Sequence, residues 1–279
     1  MFPSLAWLPA VACAASQTPA ATRMPDGSGD IYIGLGASAA PRYAGADASK
    51  ISAVPALQMA WSNGVFVSGA MLGWHVSQCP LLEFGPLLAW QPPRRADGDG
   101  ASLGAAGGAP VAVGDVRHLT SAPRALVGMD DIPARLLAGG FFNYYLTPDW
   151  RLTNSVLAGA AAAQDGVQWR LGLQRIGIEL GRHTTLTLNV GVDFANRAYN
   201  QAYSGVSARQ AARSGYAPYQ SGGGVRQLRF GARWNWALSP AWLLTSGVDA
   251  SGLVGAAGRS PLAVQPVGVG LSTALGYRF

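Results

Sequence analysis

The chain has 279 residues, of which 49% are hydrophobic and only 12% are charged. A soluble domain usually carries about 25% charged residues, and the sequence contains no apolar run of about 18 residues that could cross a membrane as a helix. Two explanations remain, a large buried all-β core or a β-barrel with its apolar face in lipid. The net charge is +6, but the arginines are spread along the chain, which argues against nucleic-acid binding.

The N-terminal stretch "MFPSLAWLPAVACAAS" has a short apolar core followed by small residues. Small residues at alternate positions are typical of a signal-peptide cleavage site. The pattern predicts a signal peptide over residues 1–16, with residue 22 as an alternative end. Cys13 leaves lipoprotein processing open as a second interpretation.

Strict alternation of apolar and polar residues recurs from residue 30 onward. In "TTLTLNVGVDFAN" the apolar residues alternate with small or polar ones, and "VRQLRFGARWNWALS" and the closing "VGVGLSTALGYRF" follow the same plan. Side chains two apart share a face of a β-strand. In the segment 167–180 the alternation changes phase near Arg175, which indicates a β-bulge.

Aromatic side chains at the ends of the predicted strands favour a membrane barrel over a soluble sandwich. Tyr and Trp are enriched where lipid tails meet headgroups, and membrane barrels carry such girdles at both interfaces. The predicted girdle residues are Trp169, Trp234, Trp236, Trp242, Tyr277 and Phe279.

Counting alternating segments gives the strand number. The predicted strands are 30–39, 51–61, 64–76, 81–91, 134–146, 150–161, 167–180, 183–196, 225–238, 241–254 and 264–279. These are eleven, but an outer-membrane barrel of this kind has an even number of strands. Dividing 64–76 at Ser68 and Gly69 gives twelve, and ten remains an alternative if one N-terminal segment does not pair. The sequence therefore predicts an all-β, transmembrane antiparallel β-barrel over residues 30–279.

Short and long connections alternate along the chain, as in membrane barrels with short periplasmic turns and long outer loops. The predicted long loops include a Gly/Ala-rich loop at 92–133 and a second at 197–224, in which 207–214 could form a helical turn. Four tyrosines of the second loop are candidate contacts for a ligand or partner, with folding over the barrel mouth as the alternative. They are Tyr199, Tyr203, Tyr216 and Tyr219.

Charged residues on the polar strand faces are candidates for lining the lumen. They are Arg170, Arg229, Arg233 and Asp193. Arginines in an open lumen favour anions. The same arginines could instead pair with carboxylates and fill the barrel.

Several blocks resemble the MipA/OmpV family of outer-membrane proteins, also called MltA-interacting proteins. They are "IGLGASAAPRYAG" (33–45), "GPLLAW" (85–90), "GMDDIPARLLAGGFFNYYL" (128–146), "AYSGVSARQAARSGYAPYQSGGGVRQL" (202–228) and "GLSTALGYRF" (270–279). The resemblance covers most of residues 30–279, and the block at 202–228 is the most specific.

The resemblance implies a non-enzymatic barrel in the cell outer membrane that acts as a scaffold for murein-remodelling enzymes. Its implied partners are outer-membrane lipid and lipopolysaccharide, the barrel assembly machinery, a lytic transglycosylase and a penicillin-binding protein. The alternative is a small channel or an uptake or adhesion barrel for polar or anionic solutes. Because such roles vary within one fold, both are kept.

The sequence offers little for catalysis or cofactors. His75 and Ser77 share a strand face near Glu83, and a serine nucleophile needs an adjacent base. The surrounding pattern does not match a hydrolase, so we expect no enzyme activity. No Cys/His cluster has zinc spacing, and no cofactor is expected.

Overall fold

A computed structural model describes residues 27–77, 79, 81–96, 126–159 and 166–279. The predicted signal peptide and most of the Gly/Ala-rich stretch lie outside these residues. The proposed domain limits therefore stay a prediction.

Twelve antiparallel strands form one closed barrel in which every strand pairs with its neighbours in the chain and β1 pairs with β12. The strands are β1 (Gly29–Pro41), β2 (Ser49–Trp61), β3 (Val65–Ser68), β4 (Met71–Trp74), β5 (Leu82–Gln91), β6 (Arg135–Tyr145), β7 (Trp150–Gly159), β8 (Val167–Gly181), β9 (Thr184–Ala195), β10 (Gly224–Ala237), β11 (Trp242–Leu253) and β12 (Val267–Arg278). The predicted fold class and the count of twelve are confirmed, including the division of 64–76 into two short strands.

The alternating apolar and polar residues of the sequence lie on the outer and inner faces of the barrel wall. Leu35 is 66% exposed and Phe230 is 57% exposed on the outer face, whereas Arg229, beside Phe230, borders the interior. The β8–β9 register shifts between Arg175 and Ile178, where the change of phase predicts a bulge. An outer surface this apolar is stable against acyl chains, and a closed ring of strands pairs most of its backbone groups within the wall.

The barrel has two unlike ends. At one end, called here the turn end, β1 begins, β12 ends and the connections are short. At the other, called here the loop end, lie the long connections, which contain α1 (Arg197–Ser204), α2 (Ala208–Ser214) and α3 (Gly255–Gly258). Short turns face the periplasm in outer-membrane barrels, so we expect the loop end to face outward. The helix α2 falls within the predicted turn at 207–214, and α1 is an addition to the prediction.

The seam between β1 and β12 is held by close backbone contact. Gly34 lies opposite Gly276, in a register that runs from Tyr32–Arg278 to Ala39–Leu271. A Cβ atom at Gly34 would lie 2.1 Å from the carbonyl oxygen of Leu275. Only glycine allows this approach at position 34.

None of the helices in the described part of the chain is long and apolar enough to cross a membrane.

Candidate functional site

The loop end is covered by a small hydrophobic cluster that ties four connections together. Its buried residues are Tyr43, Ala46, Leu126, Met129, Val206 and Leu262. Burial, followed by the nearby Tyr216 and Asp47, raises the pKa of Tyr43 to about 12, so the phenol stays neutral. The outer loops are therefore packed on one another.

The helix α1 places two tyrosine rings at the mouth of the barrel. Asn196 caps α1 by accepting a hydrogen bond from the backbone N–H of Tyr199 at 3.0 Å. One turn further on, the ring of Tyr203 stacks on that of Tyr199 with centroids 4.5 Å apart. The Tyr199 hydroxyl accepts a hydrogen bond from Gln91 Nε2 at 3.0 Å. Both tyrosines border the interior cavity below them.

Arg94 fixes this helix to the end of β5. Its guanidinium donates to the carbonyl oxygens of Tyr203 (2.6 Å) and Ala202 (3.2 Å), and it lies 5.4 Å from the centroid of the Tyr203 ring. Burial lowers the pKa of Arg94 and raises that of Tyr203. The cation caps the C-terminal carbonyl groups of α1, which a positive charge stabilises.

The other two candidate tyrosines lie apart from this mouth. Tyr216 and Tyr219 pack against the loop-end hydrophobic cluster. The Tyr219 hydroxyl donates to the carbonyl oxygen of Ala256 at 2.7 Å. These contacts order the loops, and neither ring borders the cavity.

Beneath the mouth lies a cavity of about 260 Å³, called here the loop-end cavity. Among the described residues, six cations and two carboxylates border it, which is an excess of four positive charges. The cations are Arg42, Lys50, Arg94, Arg170, Arg226 and Arg229, and the carboxylates are Asp193 and Asp249. Cations in a low-dielectric wall create a strong local positive potential.

Arg170, Asp193 and Arg229 form a charged layer on one wall of the interior. Arg229 donates to Asp193 Oδ1 through Nε at 2.9 Å and lies within 2.8 Å of the same oxygen through Nη2. Arg170 lies opposite Asp193 in the β8–β9 register. In the described part of the chain, the hydrogen bond of its guanidinium goes to Gln168 at 3.5 Å. Arg170 is therefore the less engaged of the two arginines.

A second cavity of about 720 Å³, called here the turn-end cavity, continues below this layer. Arg170 and Arg229 border both cavities, so the two spaces adjoin at the arginine layer. Arg233, the third candidate arginine, borders the turn-end cavity. Three predicted arginines and Asp193 thus lie on one interior wall, formed by β8, β9 and β10.

A buried polar network on β5 to β8 borders the turn-end cavity. Glu83 accepts hydrogen bonds from the Tyr145 hydroxyl at 2.8 Å and from Asn143 at 3.1 Å. Arg151 approaches Glu83 at 3.4 Å and donates to Gln174 at 2.6 Å. The network joins β5, β6, β7 and β8 through side chains, in addition to the backbone ladder.

The wall that adjoins the arginines is apolar, a feature that the sequence reasoning missed. Leu87, Ala89, Leu137 and Leu157 form a buried cluster against which Phe66, Met71 and Phe141 pack. The four buried residues occupy inward-facing positions of β5, β6 and β7. The sequence pattern that could have predicted this wall is the presence of apolar residues at the inward positions of three successive strands.

The arrangement near His75 does not form a catalytic triad. The His75 ring packs against Phe66 and Phe141, with centroids 4.6 Å and 5.1 Å away. The Ser77 hydroxyl accepts a hydrogen bond from the backbone N–H of Phe84, and Glu83 is engaged as described above. In the described ranges no group of three or more His, Cys, Asp or Glu side chains could hold a metal ion.

The predicted girdle aromatics all have exposed rings on the outer wall. Five lie at the turn end, where the ring centroids of Trp234 and Trp236 are 6.0 Å apart and the Tyr277 ring packs between those of Trp242 and Phe279. Trp169 stands at the loop end, stacked on Phe194 at 4.6 Å. Their contact with lipid headgroups stays a prediction.

The family model described as "MltA-interacting protein MipA" matches residues 33–279. The chain belongs to the MipA family. The match covers the whole barrel except the first residues of β1, and the closed barrel of a MipA protein places it in the outer membrane. No curated protein matches the chain.

Solved structures similar to this MipA protein include outer-membrane channels and a transporter. An outer-membrane channel from Pseudomonas putida F1 is 12% identical, with a TM-score of 0.40 over 94% of this chain and 100% of that chain. The Pseudomonas putida toluene transporter TodX is 10% identical, with a TM-score of 0.37 over 91% and 90%. The channel DcaP of Acinetobacter baumannii is 8% identical, with a TM-score of 0.33 over 90% and 96%. Likeness at this level does not extend to ligands or activity.

Proposed function

We propose that this MipA-family barrel binds small anionic solutes in its lumen and passes them across the outer membrane. The observation that carries the proposal is that Arg170 and Arg229 border both interior cavities. A solute moving between the loop end and the turn end meets these guanidinium groups on the way. Rings of arginine select anions in membrane pores.

The charge balance along the lumen supports the same direction of selectivity. Cations outnumber carboxylates around the loop-end cavity, and Arg151 and Arg233 extend the positive lining toward the turn end. Asp193 offsets one of these charges through its pairing with Arg229. Asp249 is the other carboxylate of the loop-end cavity.

Conductance in planar bilayers tests this proposal. The purified protein should give discrete steps, and a KCl gradient should give a reversal potential of the sign for chloride preference. Arg170→Gln and Arg229→Gln should each reduce that preference. Arg259→Gln, at the exposed end of α3 and outside both cavities, is the matched control. Absence of steps, or selectivity that both lumen variants leave unchanged, would contradict the proposal.

A second candidate function, a scaffold for murein-remodelling enzymes, is favoured by the family match. Its partners would be a lytic transglycosylase of the MltA type and a penicillin-binding protein, which would contact the periplasmic turns. The turn at 182–183 is exposed, and His183 adopts a φ of 66° there. Co-purification of the transglycosylase with the wild-type barrel, and its loss with Arg182→Ala but not Arg259→Ala, would support this role. An equal yield with both variants would argue against contact at this turn.

A further inference from the structure

In the described part of the chain, the barrel wall is incomplete beside β2. The strands β3 and β4 have four residues each, whereas β2 has thirteen. β3 pairs with β2 only at Gln58, Met59 and Ala60, and Gly69 N–H donates to the carbonyl oxygen of Leu57 just above them. From residue 56 to residue 49, no described strand pairs with this edge of β2. We call this gap, above the β3–β4 turn, the wall notch.

The sequence is adapted to an unpaired edge at this place. The carbonyl group of Leu57 points toward β3, so in an extended strand the backbone groups of Pro55, two residues away, point to the same side. Proline has no N–H to donate, and within sheets it is confined to edges or bulges. A paired strand along the notch would leave its acceptor opposite Pro55 unsatisfied.

The loop-end cavity reaches the notch. Ser52 of β2, Ser68 and Met71 of the short hairpin, Ala70 of its turn and Trp90 at the end of β5 all border this cavity. These residues form the rim of the notch. The cavity is therefore bordered by the gap in the wall as well as by the arginine layer.

The two sides of this cavity differ in chemistry. On β4 to β7, Met71, Ala89, Leu137 and Leu157 present an apolar surface. Arg170 on the adjoining β8 and Arg226 on β10 border the same cavity. Arg226 lies 5.3 Å from the centroid of the Tyr199 ring, and its buried Nε has no hydrogen-bond partner. The cavity thus offers one apolar wall and one cationic wall with unused donor capacity.

We infer that the loop-end cavity binds a small amphipathic anion, which enters or leaves through the wall notch. The anionic head binds at Arg170 and Arg226, and the apolar part lies against Met71, Leu137 and Leu157. Pockets for small molecules usually measure about 300–1,000 Å³, so a cavity of about 260 Å³ limits the ligand to a short chain or a single ring. The anionic character of this ligand rests on the proposed function. The apolar part of the ligand and its route through the notch are additional to that function.

Equilibrium dialysis of radiolabelled acetate, hexanoate and decanoate against the full-length barrel in nanodiscs tests the ligand class, with empty nanodiscs subtracted. Affinity should rise about fourfold for each added methylene that the cavity buries, the equivalent of about 0.8 kcal/mol. Decanol, which lacks the charge, should bind at least about tenfold more weakly than decanoate, as expected when a buried guanidinium loses an ionised partner. Arg170→Gln should reduce decanoate affinity to a similar degree, whereas Arg259→Gln should not.

The outcomes separate this inference from the proposed function. If acetate binds as tightly as decanoate, or decanol as tightly as decanoate, the amphipathic ligand is wrong while anion selectivity stands. If decanoate binds as inferred but the bilayers show no anion-selective steps, the ligand class stands and passage across the membrane fails. If no carboxylate binds, the inference is overturned, and the conductance measurement alone decides the proposed function.

The route is tested by filling the notch. Ala70→Trp should slow the uptake of decanoate at least about tenfold without changing that of acetate, and Ala241→Trp, at a turn on the other end, is the control. As a second test that does not depend on folding of a bulky variant, Ala53→Cys is folded first and then labelled with a bulky maleimide, beside wild-type protein treated in the same way. Uptake of decanoate at the unmodified rate in the labelled protein would overturn the notch as the route.

Discussion

The Tyr145 hydroxyl donates a 2.8 Å hydrogen bond to Glu83 inside the barrel, and Arg151 lies 3.4 Å from the same carboxylate. The pair joins β5 to the end of β6, and Arg151 extends the contact to β7. Glu83 is 5% exposed, so these partners rather than water contact its carboxylate oxygens.

Removing the Glu83 carboxylate should destabilise the barrel. Glu83→Ala leaves the Tyr145 hydroxyl without its acceptor and the Arg151 cation without its carboxylate partner, and breaking a buried ion pair in this way costs about 3–5 kcal/mol. Glu83→Gln keeps an acceptor for Tyr145 and should cost less. The temperature at which the folded band disappears in heat-modifiable electrophoresis measures the effect. Glu179→Ala, an exposed carboxylate of β8, is the control and should leave that temperature unchanged.

Releasing Arg229 from Asp193 should raise anion selectivity. Asp193→Asn removes the negative charge that offsets Arg229 in the layer between the two cavities, and a fixed positive charge in a pore favours anions. The same change should lower the free energy of unfolding by about 1.5–3 kcal/mol, the usual worth of a hydrogen bond to a charged group. Reversal potentials and urea unfolding measure the two effects. A lower anion preference in this variant would contradict the assigned layer.

The seam of the barrel should not tolerate a side chain at Gly34. Gly34→Ala places a Cβ atom 2.1 Å from the Leu275 carbonyl oxygen, and overpacking of this kind costs about 1–3 kcal/mol. Because the clash separates β1 from β12, the yield of closed barrel in refolding into detergent should fall. Gly181→Ala, where a Cβ atom would meet nothing within 4 Å, should refold like the wild type.

A charge cluster on the outer loops should open in acid. Asp130 lies 2.9 Å from Arg209 and 2.5 Å from Arg213 of α2, and the hydrogen bond from Arg213, followed by that from Arg209, holds the pKa of Asp130 below its usual value. A lowered carboxylate pKa stabilises the contact above the unfolded value of about 3.9, and this stabilisation is lost as the pH falls through the lowered pKa.

Hydrogen exchange of the peptide containing 208–214 measures this opening, after correction for the intrinsic effect of pH on exchange. Protection should be constant from pH 7 to pH 5 and should fall below about pH 4. Asp130→Asn should show the low protection already at neutral pH, while Arg259→Gln should retain the wild-type profile. Constant protection down to pH 2 would show that the cluster does not hold α2.

The girdle aromatics should be quenched by brominated lipid in a depth-dependent way. Trp234 and Trp236 stand at the turn end of the outer wall, so bromine near the acyl carbonyl should quench fluorescence more than bromine near the chain terminus. The contribution lost in Trp234→Phe with Trp236→Phe isolates this pair. Trp169→Phe samples the opposite interface in the same assay.

The sequence alone was sufficient to predict the barrel, because the alternation of apolar and polar residues indicates whether each side chain points inward or outward. The division of residues 64–76 followed from the need for an even number of strands and was confirmed by β3 and β4. The candidate arginines Arg170, Arg229 and Arg233 could be proposed because they stand at polar positions of strongly alternating strands.

Contacts between distant parts of the chain could not be predicted from the local sequence pattern. The contact of Asp130 with Arg209 spans 79 residues, and no local pattern encodes it. The apolar interior wall was missed because inward residues of a membrane barrel were assumed to be polar. Pro55 was the one local signal of the notch, since a proline in a strand argues for an edge.

The pairing of Ile33 with Tyr277 has a consequence for how the protein is made. The barrel closes when its first strand pairs with its last. Until β12 is in place, the edges of β1 and of the preceding strand expose unpaired amide and carbonyl groups to the hydrocarbon. A local hairpin cannot pair these edges, because β1 and β12 are separated by almost the whole polypeptide. We therefore expect assembly to use the edge of a partner protein, which would supply hydrogen bonds to β1 or β12 until these two strands pair.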